Sequence, residues 1–251
     1  LSEFKSLDEA LGSKVGKFLC WPVFDKEAAE DRITQLRGLG VDSVALGGPH
    51  RVLGYLILGK GHVGVVIRAM FQGREVALKC RRTDSDRKTM DNEAKLLRKA
   101  NESGVGPLIF AHSMDFIVME KLVGPYFGDW ARDNIEKTDE IRKNVSIIIG
   151  IARKLDVARI DHGELTKIRR HFIVTDGGPR VIDFESSSLG RIPQNLTCTV
   201  QSMFLHTKFS NVLAQAYSMP GKDELLEVLR SYKKNPDEEN YRGILRVINL
   251  I

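Results

Sequence analysis

The sequence predicts an α+β fold of two lobes, with strands gathered first and helices after. Two observations carry this. Residues 51–123 alternate β-rich runs with glycine turns, and residues 124–251 carry segments with apolar residues at helical spacing. A third allows it: 42% of the 251 residues are apolar, an ordinary share for a protein with a sizeable core.

Residues 1–50 read as two short helices and a strand, a helical extension without a chemical motif. Within it DKEAAEDRITQLRGLG (25–40) offers Asp25 as N-cap, apolar Ile33, Leu36 and Leu39, and Gly40 as a stop. RVLGYLILGKGHVGVVIRAMFQGREVALKC (51–80) predicts three antiparallel strands. DRKTMDNEAKLLRKANESG (86–104) predicts a helix, with Met90, Ala94, Leu97 and Ala100 on one stripe and Gly104 at its end. PLIFAHSMDFIVMEKLVG (107–124) adds two strands. The stretch 51–123 is therefore expected as a five-stranded antiparallel lobe with one helix. In 124–251, TDEIRKNVSIIIGIARKLDVARI (138–160) predicts a long buried helix. FIVTDGGPRVIDF (172–184) predicts two short strands about an Asp-Gly-Gly turn. Helices follow around 195–209, 222–233 and 236–248.

Composition narrows the function classes. Apolar runs such as VSIIIGIA (145–152) fall well short of the ~20 residues that span a bilayer, so no membrane partner is expected. The chain opens on a charged amphipathic stretch rather than a basic start and an apolar block, so a cytoplasmic location is expected. Cys20, Cys80 and Cys198 are widely spaced and form neither a disulfide framework nor a metal knuckle. A net charge of +5 fits a polyanionic partner, whether nucleotide phosphates or nucleic acid.

The motifs come in a fixed order. GKGHVGVV (59–66) matches G-x-G-x-x-G-x-V between two strands, where glycines let the backbone approach phosphates closely. VALK (76–79) puts Lys79 inside an apolar strand, where it needs an anion; Glu93 on the next helix is the best placed, and Glu102 is poorer. FIVMEKLVG (116–124) is an apolar strand running into a connector. DHGELTKIRRHFIV (161–174) is a loop with Glu164, His171 and a cationic stretch of Lys167, Arg169 and Arg170. VIDFE (181–185) sets Asp183 after an apolar strand, and a short polar run, Ser186, Ser187 and Ser188, follows. A second basic group, Arg81, Arg82, Arg87 and Lys88, has no interleaved aromatic residues, so sequence-specific RNA reading is not supported.

Taken in this order, the chain resembles the protein-kinase superfamily over roughly residues 52–210. HGELT is closer to the HGDLT of RIO-type kinases, and of the small kinase of the tRNA threonylcarbamoyl-adenosine complex, than to HRDLK. LKCRRTDSDR (78–87), with GVGP and VMEKLVG, is similar to a lineage of small predicted archaeal Ser/Thr kinases with a DFE motif. The resemblance implies three regions: an extension 1–50, a first kinase lobe 51–123, and a reduced second lobe 124–251 without a full activation segment. It implies ATP with Mg²⁺ or Mn²⁺. Gly59, Lys60, Gly61, His62, Val63 and Gly64 would form the phosphate flap. Val66 and Ala77 would roof the adenine, Ile173 would floor it, Met119 would border it, and the backbone of Glu120 and Leu122 would read its edge. Lys79 with Glu93 would hold the α- and β-phosphates. Asp183 would bind the metal, with His171 where the family carries a metal-binding Asn. Imidazole is a poor ligand for Mg²⁺ and a fair one for Mn²⁺; His171 could instead bond phosphate or Glu164.

Glu164 stands where the family carries Asp. It keeps the carboxylate and adds about 1.5 Å of reach, and a misplacement of that size can cost ~10²-fold. The loop is also two residues longer than HGDLTxxN, which offers a way to offset it. The function expected is that of an ATP-dependent atypical Ser/Thr protein kinase acting on a protein hydroxyl or on itself, with Ser186–Ser188 as candidate acceptors. Two alternatives remain. One is a nucleotide-binding pseudokinase or ATPase switch in an RNA- or ribosome-related assembly, touching RNA through the basic groups. The other is a small-molecule phosphotransferase.

Overall fold

The computed structural model describes residues 3–205 and 207–251. The fold is α+β, and every strand pairing is antiparallel. The chain divides into two compact units: residues up to Arg98 with Pro107–Lys121, and Lys99–Gly106 with Leu122–Ile251. No helix among the described residues is long and apolar enough to cross a membrane.

The first unit runs β1 (Lys5–Ser6), α1 (Leu7–Leu11), α2 (Gly16–Leu19), α3 (Lys26–Leu39), β2 (Val41–Ala45), β3 (His50–Val52), β4 (Tyr55–Ile57), β5 (Gly59–Lys60), β6 (Gly64–Phe71), β7 (Arg74–Arg81), α4 (Asp91–Glu102), β8 (Ile109–His112) and β9 (Phe116–Glu120). Asp25 caps α3 by accepting from Ala28 N at 2.8 Å, and Gly40 ends it at φ 85°. Only a residue tolerant of the left-handed region closes a helix this way.

Among the described residues the sheet has seven strands, in the order β1-β2-β6-β7-β9-β8 with β5 also on β6; residues 51–123 supply five of them, β5 to β9, with α4 between the third and fourth as expected. The extra pair comes from residues 1–50: β2 pairs with Arg68–Phe71 at the far end of β6, so the sheet runs across residue 50. The strand expected through 51–60 is interrupted. At Gly47 and Gly48 the chain leaves the sheet to make the separate β3–β4 hairpin. Gly48 has φ 143°, and a Cβ there would lie 2.3 Å from Ile57 O, so no side chain fits. Only Gly59 and Lys60 return to pair with Val66 and Val65.

Two-residue alternation then sorts the faces. Val65, Ile67, Val76, Leu78, Phe116 and Val118 join Leu7, Phe18, Leu19, Ile33 and Leu36 of the helices in one apolar core. The helices α1 to α3 are thus a layer on one face of the sheet, to which β1 and β2 also belong. On the opposite face the register aligns Val66, Lys79 and Ile117 in one row, and Ala77 with Met119 in the next.

The second unit continues with α5 (Phe127–Asp133), α6 (Thr138–Val157), a 3-10 turn (Leu165–Lys167), α7 (Ile168–His171), β10 (Phe172–Thr175), β11 (Gly178–Val181), α8 (Asn195–Phe204), α9 (Thr207–Leu213), α10 (Lys222–Lys234) and α11 (Glu238–Val247). Its axis is α6, buried through Ile141, Val145, Ile148, Ile149, Ala152 and Leu155. The β10–β11 hairpin closes on Thr175 and Gly178 about the expected Asp-Gly turn. Residues 182–194 join β11 to α8 with no helix or strand between them.

Candidate active site

In the first unit, Lys79 lies near the end of β7 and is 4% exposed; Glu93 on α4 is 5% exposed. Lys79 Nζ donates to Glu93 Oε1 at 2.7 Å. Burying either ion alone would be costly, so each requires the other. Gly64 makes room for this pair: a Cβ there would meet Lys79 Cγ at 3.1 Å and Cys80 O at 2.8 Å. The Gly-rich turn is closed by Gly61 N donating to Gly64 O at 2.8 Å, and Val63 O accepts from Arg82 N at 2.8 Å. Val66, Ala77 and Met119 share the face of Lys79.

Not every flap residue does. Lys60 pairs with Val65, whose side chain is in the opposite core, and its ammonium lies over the Trp21 ring at 5.5 Å. His62 is exposed at the turn. Glu120 accepts from Leu108 N through Oε2 at 3.0 Å, and its own N–H donates to Leu108 O. Two of the four basic residues near β7 are engaged within the unit: Arg81 bonds Asp115 and Arg82 bonds Asp84.

In the second unit, the 161–171 loop is held by buried polar contacts. His162 is fully buried; its Nε2 bonds Ile182 O at 3.0 Å and its backbone N donates to Asn195 Oδ1 at 2.9 Å. Burial, then the neighbouring His171 charge, push its imidazole down to about 4, so it is neutral at pH 7. The ring packs edge-on against His171 and Phe184. Gly163 has φ 85°, and a Cβ there would lie 2.7 Å from Ser186 O.

Glu164 then faces three partners. Ser186 Oγ donates to its Oε1 at 2.6 Å, Lys167 Nζ to its Oε2 at 2.9 Å, and His171 Nε2 lies 3.4 Å from the same Oε2. Burial pushes this carboxyl up, but the Ser186 and Lys167 hydrogen bonds and the His171 and Lys167 charges outweigh it, leaving it below the usual range. It is therefore an ionised acceptor at neutral pH. Arg169 lies along α5, where a Cβ on Gly128 would meet its stem at 2.7 Å; Arg170 is exposed.

Asp183 adopts φ 70°, the left-handed region that side chains rarely enter. Such an outlier, held in place by its surroundings, is the kind of strain that marks functional positions. Ile173 pairs with Arg180 across the hairpin and bridges Tyr126. Leu122, in the connector after β9, is half-buried. Among the described residues no group of three His, Cys, Asp or Glu side chains gathers as a metal cage. Mg²⁺ does not require one, since it is commonly held by one or two carboxylates with phosphate and water completing its shell. Asp183 fits that arrangement. His171 has one ring nitrogen turned to Glu164 and the other, Nδ1, buried without a hydrogen-bond partner.

Sequence spacing did not reveal the contact of Ser186 with Glu164, which lie 22 positions apart, or the support of His162 by Asn195, 33 apart.

No family model matches the chain. It is similar to an uncharacterized protein of Methanocaldococcus jannaschii, 29% identical over 124 residues, covering 48% of this chain and 99% of that protein.

Proposed function

We propose that the chain is an ATP-dependent phosphotransferase of the RIO-like Ser/Thr protein kinase type. The observation that carries this reading is the buried Lys79–Glu93 pair under Gly64. An ammonium fixed in this way, beside a glycine turn whose backbone admits close approach, suits the α- and β-phosphates of ATP. In this reading Val66, Ala77 and Met119 line the adenine site, and Asp183 holds Mg²⁺ or Mn²⁺, which would neutralise charge on the transferred phosphoryl group. Glu164 accepts a hydrogen bond from the acceptor hydroxyl and orients it; Lys167 and His171 set the carboxylate's position. Lys60 and His171 are not needed as direct ligands.

The test is ATP binding by calorimetry together with transfer of labelled γ-phosphate. Wild type is expected to bind ATP with Mg²⁺ or Mn²⁺ and to transfer phosphate. Lys79→Met and Asp183→Ala should abolish transfer. Glu164→Ala should slow it by ~10² or more, the usual contribution of a positioned base.

A second reading is a nucleotide-binding switch without transfer. It is favoured by the occupation of Glu164 by Ser186, Lys167 and His171. Tight ATP binding with no transfer to any acceptor would select it. No nucleotide binding would overturn both.

A further inference from the structure

Ser186, Ser187 and Ser188 are consecutive, yet their hydroxyls do different things. Ser187 Oγ is buried and donates to His162 O at 3.3 Å. Ser188 Oγ accepts from Gly190 N at 3.0 Å. Ser186 Oγ alone of the three donates to Glu164, at 2.6 Å. That length belongs to a charge-assisted hydroxyl–carboxylate bond. The backbone on both sides fixes it. Asp161 and Ser188 exchange backbone hydrogen bonds at 2.9 and 2.8 Å. Arg191 bridges Asp161 Oδ2 and Ser186 O. Gly163 lets the two segments approach without a side chain between them. Ser186 remains partly exposed, so an incoming group can reach it.

We propose that Ser186 is a site of intramolecular autophosphorylation, with Glu164 orienting its hydroxyl for attack. The inference rests on the phosphotransferase reading above. Ser186 Oγ forms a bond to the γ-phosphorus of ATP. The bond from that phosphorus to the β–γ bridging oxygen breaks, and ADP leaves with the electron pair. The hydroxyl proton passes to Glu164 Oε1. The phosphoserine is then left beside two cations already at the site: Lys167, on Glu164 Oε2, and Arg191, on Ser186 O. Both suit a phosphate dianion. Once Glu164 has passed that proton on to solvent, the modified serine has none to donate back, so the carboxylate is freed for another acceptor.

The full chain is first treated with phosphatase, then incubated with ATP and Mg²⁺ across a tenfold range of protein concentration. Intact mass and peptide mapping read the product. The expected result is one phosphate on Ser186, formed at a first-order rate independent of protein concentration. Ser188→Ala should keep that label and Ser186→Ala should lose it. Mapping on wild type decides the matter if Ser186→Ala does not fold. A phosphate on Ser187, Ser188 or elsewhere with Ser186 unmodified overturns the inference but leaves phosphotransfer standing. So does label on a generic serine-containing acceptor peptide with none on the chain, or a rate that rises with protein concentration. Absence of transfer to any acceptor overturns both.

Discussion

The two units bury polar groups in opposite ways. The first pairs ion with ion. Besides Lys79–Glu93, Asp115 Oδ1 accepts from Arg32 at 2.9 Å and from Arg81 at 2.6 Å, with Gln35 on its other oxygen at 2.8 Å. Arg32 also donates to Leu19 O and Arg81 O, so one guanidinium from α3 ties the helical layer to the sheet. The second unit buries a carboxylate among neutral donors. Asp156 on α6 accepts from Asn195 N, Asn195 Nδ2, Leu196 N and the Tyr232 hydroxyl. The pKa directions follow. Arg68, then Lys121, hold the Glu75 carboxyl of the first unit down at about 2. Burial pushes that of Asp156 up despite its four donors. The same functional group is a fixed charge in one unit and a collector of backbone N–H groups in the other.

The largest test of this contrast makes one chemical change in both places. Asp115→Asn leaves the Arg32 side chain, 3% exposed, without its counter-ion. Breaking one partner of a buried pair costs about 3–5 kcal/mol. Asp156→Asn keeps one acceptor oxygen and removes no counter-ion, so about 1–2 kcal/mol is expected, the scale of one or two neutral hydrogen bonds. Urea unfolding of the two variants beside wild type reads the difference. Equal losses would show that the contrast in geometry has no energetic counterpart.

The next test uses pH. His162 is depressed to about 4 from 6.5, so the unfolded chain binds the extra proton between those values. Stability from this group is complete above pH 6.5 and is lost as pH falls toward 4, by about 3 kcal/mol in all. Asp156 acts with the opposite sign. Its raised pKa makes protonation easier in the folded state, so its contribution grows as pH falls and is lost as pH rises through the folded value. His162→Phe isolates the first effect, since the ring already packs on Phe184. The acid limb between pH 6.5 and 4 should flatten in that variant. An unchanged slope would mean that the imidazole is not the group responsible.

What was legible in the sequence is what is local or periodic. The Asp25 cap and Gly40 stop lie within one helix, and α6 declares itself by its apolar stripe. The pairing of Lys79 with Glu93 was readable because they are 14 residues apart, with one strand end and one helix start between them. The five strands of 51–123 are in the sheet, but the first is cut down to Gly59–Lys60: at Gly47–Gly48 tight backbone approach to Ile57 sends the β3–β4 hairpin off the sheet, and β2 pairs with the far end of β6. Sequence texture does not show which of two segments will claim an edge. The Arg32–Asp115 bridge spans 83 positions and Ser186–Glu164 spans 22, and no spacing rule reaches either. At the candidate site the residue types and the near pairs Lys79–Glu93 and His171–Glu164 could be read, but not the distant partners Ser186 and Asn195.

Helix starts give the smallest and most local form of the contrast. On α3, Asp25 itself accepts from Ala28 N at 2.8 Å. On α8, Gln194 stands at the N-cap and makes no side-chain cap bond; the first-turn N–H groups of Asn195 and Leu196 go instead to Asp156, about forty positions earlier. Both solutions satisfy donors that a helix leaves open. They predict different costs for the same truncation. Asp25→Ala should lose about 1 kcal/mol, the usual worth of a capping side chain. Gln194→Ala should stay within about 0.5 kcal/mol, as for a surface position with no special role. Thermal unfolding of the pair measures both. A Gln194→Ala loss as large as that of Asp25→Ala would mean that α8 depends on its own cap after all, and that Asp156 does not carry the start of that helix.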